Sequence, residues 1–186
     1  MKTVPDFLTR YYVHGENPFT SLNDYPFKEA NEIKKNHCKR NNIGGFYAED
    51  DYLIHRKEIE KWLYNQLISK GGNPQNTVPI YMALGESPLG EFDIREDIQK
   101  NAEEIKIPLN CLDLSAISFT FPDSMYRFVL DTNGSIVGGE RTNTPDMYLY
   151  HELEQVISKY KTDCHYIEAQ VWNRKMLFDY INKLKK

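Results

Sequence analysis

The chain has 186 residues, which is enough for one domain with a sizeable hydrophobic core. Hydrophobic residues make up 40% of it and charged residues 27%, a balance that excludes a disordered tail, and no run reaches the roughly 20 apolar residues of a membrane span. The net charge of −4 argues against binding of bulk duplex nucleic acid, which depends on lysine and arginine.

Cysteine and histidine usage limits the kinds of site that the chain can carry. The three cysteines include no C-x-x-C, and the first residues, M-K-T-V-P-D, contain no apolar segment of the signal-peptide kind. We therefore expect free thiols and a cytoplasmic protein without a membrane partner. The five histidines form no H-x-H or H-x-x-x-H pair, so we predict no metal site from local spacing.

The first 72 residues are predicted to form a mainly helical layer. Residues 6–24 contain an aromatic strand or extended segment that breaks at Gly15. Asp24 and Pro26 begin a helix over about 26–39. A second helix over about 51–70 ends at Gly71-Gly72.

Residues 78–186 are predicted to form a strand-bearing core. Alternating apolar residues indicate strands in V-P-I-Y-M-A-L-G, which begins at Val78, and in I-S-F-T-F over 117–121. Asn133-Gly134 predicts a hairpin within 126–139. Between the two strands, a helix capped by Asp93 is predicted from apolar residues at every third or fourth position, namely Ile94, Ile98, Ala102 and Ile105.

The C-terminal part predicts a helix, a strand and a further helix. Thr144-Pro145 is typical of a helix start, and the apolar side of that helix would carry Leu149, Leu153, Val156 and Tyr160. The strand is H-Y-I-E-A-Q-V-W over 165–172, and the final helix begins at about 174. We therefore predict one α+β domain over 1–186, with a small mixed or antiparallel sheet of four to five strands and about five helices.

Two of these strands have one polar face each. Alternation directs Ile167, Ala169 and Val171 to the core, so that Glu168 and Gln170 share the opposite face with Tyr166 and Trp172. On the other strand, Ser118 and Thr120 form a hydroxyl face. If the strands are neighbours, they line a cleft that suits a nucleotide-like ligand with sugar hydroxyls and a flat base. Otherwise the four side chains face water.

Several short motifs resemble those of ADP-ribosyltransferases, including the DNA-targeting toxins of that superfamily. They are I-E-A-Q-V-W before a helix, preceded by F-D-I-R-E-D-I-Q, I-P-L and I-S-F-T-F-P-D-S-M, and the resemblance covers residues 78–181. It implies that Glu168 stabilises an oxocarbenium-like ribose as nicotinamide leaves NAD. It also implies that Arg95 holds the pyrophosphate or positions an acceptor, which is nucleic acid or protein.

The resemblance also implies the residues that would bind NAD. Ser118 would flank the nicotinamide, and Gln170 stands where some members have a second acidic residue. The strand beginning at Val78 lacks the usual histidine or arginine, so Arg10 or Arg56 would supply that charge. The complete set of expected NAD-binding residues is Ser118, Thr120, Tyr81, Gln170, Arg10 and Arg56. The resemblance to DNA-targeting toxins implies a toxin or phage-defence function. The N-terminal half, with R-Y-Y, G-E-N-P-F and K-G-G-N-P, resembles only small bacterial proteins of unknown role.

Two other functions remain open. Pro122-Asp123 with Glu168-Ala169-Gln170 resembles a degenerate PD-(D/E)xK nuclease core, in which Asp123 and Glu168 would bind a metal and Gln170 replaces the usual lysine. The thirteen tyrosines favour instead a non-enzymatic binding or regulatory module that acts through a protein interface.

Overall fold

A computed structural model describes residues 3–41, 46–87, 102–121, 123–125, 147–159 and 166–184. Within these ranges the protein has one six-stranded antiparallel sheet and four α-helices, which confirms the predicted α+β class with a strand count above the expected four to five. The sheet order is β3-β1-β2-β6-β4-β5. The strands are β1 (Phe7–Val13), β2 (Ile80–Leu84), β3 (Ala102–Pro108), β4 (Ile117–Thr120), β5 (Met147–Tyr148) and β6 (Glu168–Val171).

Three of the four helices were predicted at nearly their observed positions. The helices are α1 (Phe27–Asn41), α2 (Tyr52–Ser69), α3 (Leu153–Lys159) and α4 (Arg174–Leu184). Gly71 ends α2 with a φ of 86°, and the amide of Gly72 returns a 2.8 Å hydrogen bond to the Leu67 carbonyl. None of the helices in the described ranges has the length and hydrophobicity needed to cross a membrane.

The predicted helix over Ile94–Ile105 is wrong in its second half. Ala102 and Ile105 lie on β3, which pairs with β1 along its whole length. Ile105 and Ile107 alternate with charged residues, which is the period of a strand. This segment forms a strand rather than a helix because it pairs with the edge of β1. Asp93, Ile94 and Ile98 lie outside the described residues, as does the hairpin predicted at Asn133-Gly134.

The helix predicted to include Leu149 begins later. A two-residue strand, β5, and one turn of 3-10 helix over Tyr150–Glu152 precede α3, which starts at Leu153. Leu153 and Val156 are buried, as the apolar stripe predicts. Thr144, Pro145 and Tyr160 lie outside the described residues.

Helices cover both faces of the sheet. On one face, Leu153 and Val156 of α3 and Leu177 of α4 pack on the apolar side chains of β6 and its neighbours, including Ala169 and Val171. On the other face, α1 and α2 pack against a second cluster of buried residues, in which Leu53, Leu63 and Leu67 of α2 meet Met147 and Trp172. The polar faces of β4 and β6 lie on this second side, beneath α2.

Candidate functional site

The sheet register brings the two polar strand faces together. In the antiparallel pair of β4 and β6, Ser118 lies opposite Gln170 and Thr120 lies opposite Glu168. Directly opposed residues point to the same face of a sheet, so the four side chains are neighbours. The adjacency on which the cleft interpretation depends is therefore present.

A continuous set of hydrogen bonds links these side chains. Ser118 donates to Gln170 Oε1 at 2.8 Å, and Trp172 Nε1 donates to Ser118 Oγ at 2.9 Å. The amide of Gln170 donates to Thr120 at 3.1 Å and to Glu168 Oε2 at 3.0 Å. All the polar members are at most 5% exposed. These side chains therefore do not form a solvated sheet face, and among the described residues they form a buried polar cluster.

Ser124 belongs to this cluster, although the sequence did not single it out as a site residue. Its backbone N–H donates to Glu168 Oε2 at 2.9 Å. Its own Oγ is buried and has no hydrogen-bond partner among the residues that the structure describes. An unpaired buried hydroxyl costs free energy, so it marks a position where a ligand atom could bind. We use the name polar cluster for Ser118, Thr120, Ser124, Glu168 and Gln170.

Helix α2 places a second group of polar residues beside the polar cluster. The Arg56 guanidinium stacks 3.4 Å from the centre of the Tyr81 ring, and its Nε lies 3.5 Å from Glu60 Oε1. Glu60 also accepts hydrogen bonds from the Tyr81 hydroxyl at 3.2 Å and from Asn23 Nδ2 at 2.7 Å. Tyr81 in turn lies opposite Gln170 in the pair of β2 and β6. Arg56 and Tyr81, both expected to bind NAD, therefore lie next to the strand that carries Glu168.

The electrostatic setting of Arg56 favours its charged form. Burial alone would lower the pKa of the guanidinium, but attraction to Tyr52, Tyr81, Glu168 and Glu60 outweighs burial and holds the pKa above its usual range. Glu168 thus acts on Arg56 electrostatically. Glu168 has no ion-pair partner of its own among the described residues.

Three tyrosines surround the carboxylate and the guanidinium. Burial raises the pKa of the Tyr52, Tyr81 and Tyr166 hydroxyls, and the charge of Glu168 adds to the increase for each. All three remain protonated at neutral pH because the ordinary tyrosine pKa is already about 10. Their hydroxyls are therefore neutral, and that of Tyr81 donates to Glu60 Oε1 at 3.2 Å.

Arg10 lies near Arg56, and its donors point to the backbone. Its guanidinium donates to the carbonyls of Pro18 at 2.7 Å, Tyr81 at 2.8 Å and Thr20 at 3.4 Å. Burial and the charge of Arg56 lower the pKa of Arg10 to about 10, so it stays protonated at neutral pH. Arg10 ties the segment after β1 to β2. Arg95, the second catalytic residue implied by the resemblance, lies outside the described residues.

Asp123, which the nuclease interpretation requires, lies next to the polar cluster. Its carboxylate accepts a 2.9 Å hydrogen bond from the Met125 amide. After burial, Asp123 and Glu168 are the main causes that raise the pKa of Tyr166. Across the described ranges, no three histidine, cysteine, aspartate or glutamate side chains are grouped as a metal ion would require.

Glu60 provides a pH-dependent test of this arrangement. Burial raises the pKa of its carboxyl above the usual 4.5, although Arg56, Asn23 and Tyr81 oppose the increase. A raised folded-state pKa stabilises the fold below the usual pKa, and that contribution is lost as the pH rises through the folded-state value. The Glu60→Gln side chain does not titrate. The free energy of unfolding of wild type minus that of E60Q should therefore fall as the pH rises from 4.5 towards neutrality.

Urea denaturation of both proteins, at pH values about one unit apart between 4 and 8, measures this difference. The two proteins share every other titrating group, so the subtraction isolates Glu60. A difference that stays constant over the range would show that the Glu60 carboxyl has an ordinary pKa in the folded protein.

Comparison of the chain with family models, with curated proteins and with solved structures gave no match.

Proposed function

We propose that the polar cluster is the catalytic centre of an ADP-ribosyltransferase-like enzyme that uses NAD to modify a nucleic-acid or protein acceptor. In this reaction the bond between the ribose C1′ and the nicotinamide nitrogen breaks, and its electron pair leaves with nicotinamide. The ribose then carries an oxocarbenium-like positive charge. An oxygen or nitrogen of the acceptor attacks C1′ and loses its proton.

One observation carries this proposal: the Glu168 carboxylate is buried and hydrogen-bonded, yet has no paired cation in the described part of the chain. A buried carboxylate is costly, and structural ones are usually paired directly with a cation. Glu168 is oriented by the Ser124 amide and by Gln170, which leaves its negative charge available to a ligand. Such a fixed charge stabilises a positive charge that develops in a transition state.

Ser124 and Gln170 support the same interpretation. The unpartnered Oγ of Ser124 belongs to the residue whose amide holds Glu168, so a ribose hydroxyl could bind it beside the carboxylate. The Gln170 amide donates hydrogen bonds to Thr120 and to Glu168, which fixes the orientation of the Glu168 carboxylate. A catalytic group that is held in place before the reaction needs no reorganisation during it.

Burial of the polar cluster sets a condition on the mechanism. Glu168 is 5% exposed and lies beneath α2, so NAD reaches it only after neighbouring chain moves aside. Closure after binding would exclude water, which otherwise hydrolyses the reactive ribose. In this proposal Arg56 holds negative charge of the ligand while it remains stacked on Tyr81.

The test is release of nicotinamide from NAD by the wild-type protein, measured by chromatography in the presence of denatured DNA, RNA or a bacterial protein extract. We expect release above the no-enzyme rate without added metal. Parallel samples contain labelled DNA with and without magnesium. Magnesium-dependent cleavage of the DNA would favour the nuclease alternative. If the protein shows neither activity, the proposal is contradicted and the binding module is favoured.

A further inference from the structure

A surface groove lies on the side of Glu60 that faces away from the polar cluster. It has a volume of about 280 Å³, near the lower end of the range for small-molecule sites. One wall is α2, and the other is the segment that leads into β2. Its lining residues are Asn23, Lys57, Glu60, Lys61, Tyr64, Thr77 and Val78.

The two lysines give the groove a local positive charge in a protein with a net charge of −4. Lys57 and Lys61 are both exposed and are four residues apart, so they share one face of α2. Lys57 lies 5.7 Å from the centre of the Phe27 ring, and no described residue pairs with the Lys61 ammonium group. Both charges are therefore available to an anion.

Asn23, which lies in the 3-10 turn over Leu22–Asp24, also lines the groove and supplies an acceptor. Its Nδ2 donates to Glu60 Oε2 at 2.7 Å, which fixes the orientation of the amide. Within the described part of the chain, the Asn23 Oδ1 is a buried acceptor without a hydrogen-bond partner. A ligand that donates an N–H or NH₂ group there would remove the cost of that unpaired atom.

The groove thus combines two ammonium groups, the amide oxygen of Asn23, the Glu60 carboxyl that bonds to the same amide, and apolar surface from Tyr64 on one wall and Val78 on the other. A phosphate matches the ammonium groups, an exocyclic amino group matches the amide oxygen, and a flat base matches the aromatic wall. We infer that this groove binds a nucleoside phosphate, with its phosphate at Lys57 and Lys61 and its base amino group at Asn23.

This inference goes beyond the proposed function, since none of Lys57, Lys61 and Asn23 belongs to the polar cluster. Glu60 connects the groove to the neighbours of the polar cluster, because it contacts Asn23 on one side and Arg56 with Tyr81 on the other. A ligand in the groove therefore contacts the residue that positions Arg56. The groove could be occupied whether or not Glu168 performs chemistry.

Isothermal titration calorimetry with AMP tests the inference on the full chain. The ligand controls are adenosine, inorganic phosphate and the 5′-monophosphate of purine riboside, which lacks the amino group. Each should bind more weakly than AMP. The double variant K57A/K61A should raise the AMP dissociation constant by about tenfold or more, since charge-assisted hydrogen bonds are lost. The matched control K175A removes an 81% exposed lysine that pairs with Asp179 on α4, and should leave AMP binding unchanged.

Three results would overturn the inference: no AMP binding, AMP binding that K57A/K61A leaves unchanged, or phosphate binding as tight as that of AMP. Melting temperatures of the variants check that the fold is intact. Nicotinamide release, measured on the same samples, separates the two proposals. Lysine-dependent AMP binding without nicotinamide release would support the groove and contradict the proposed function, whereas release without such binding would do the reverse.

Discussion

Glu168→Gln should abolish nicotinamide release from NAD while the protein stays folded. The amide is nearly isosteric with the carboxylate, and its oxygen can still accept from the Ser124 amide and from Gln170, as the carboxylate does at 2.9 and 3.0 Å. What the variant lacks is the negative charge that faces the developing positive charge on the ribose. Removal of one preorganised electrostatic group typically reduces turnover by about 100- to 1000-fold.

The measurement is the rate of nicotinamide release by wild type and E168Q at equal protein concentration, with melting temperatures recorded for both. Glu152→Gln is the matched control, because Glu152 pairs with Lys70 at the surface and has no contact with the polar cluster. E152Q should keep wild-type activity. Undiminished turnover in folded E168Q would remove Glu168 from the catalytic role.

Arg56→Met should destabilise the protein by about 3–5 kcal/mol, the usual cost of removing one partner of a buried ion pair. Methionine keeps an apolar stem of similar reach but leaves the Glu60 carboxylate, which is 3% exposed, without its cation. The variant also loses the guanidinium, which stacks 3.4 Å from the centre of the Tyr81 ring. Chemical denaturation in urea measures the free energy of unfolding.

The double variant R56M/E60Q identifies the cause of that loss. Glutamine can still bond with Asn23 and with the Tyr81 hydroxyl, but it carries no charge that needs compensation. Most of the stability lost in R56M should therefore return in the double variant. If the double variant is as unstable as R56M, stacking on Tyr81 rather than charge pairing is the main contribution of Arg56.

Part of the candidate site could be predicted from sequence because it depends on local alternation. The alternation of side chains along a strand predicted that Ser118 and Thr120 share one strand face and that Glu168 and Gln170 share another. Both polar faces are present in the structure. The sequence could not show that β4 and β6 are neighbours, because strand order depends on non-local pairing. It also could not show that α2 covers both polar faces, since a polar strand face is normally solvated.

The sequence prediction missed Glu60 and Ser124. Glu60 lies four residues after Arg56, a spacing that is typical of an exposed helical pair, so the burial of Glu60 had no local signal. Ser124 lies just after a strand, in a turn where serine is common. The apolar spacing that predicted a helix through Ile105 also contained a period of two, and pairing with β1 decided between them.

The position of β6 has a consequence for how the chain is made. In the described sheet, β3-β1-β2 and β4-β5 are joined only through β6, which is the last strand in the sequence. During synthesis on the ribosome, the edges of β2 and β4 that pair with β6 would stay unpaired until residues 168–171 emerge. Such edges favour aggregation, and pairing over long sequence separations is slow. A nascent chain that stops before β6 is therefore expected to need chaperone protection and to lack the buried carboxylate altogether.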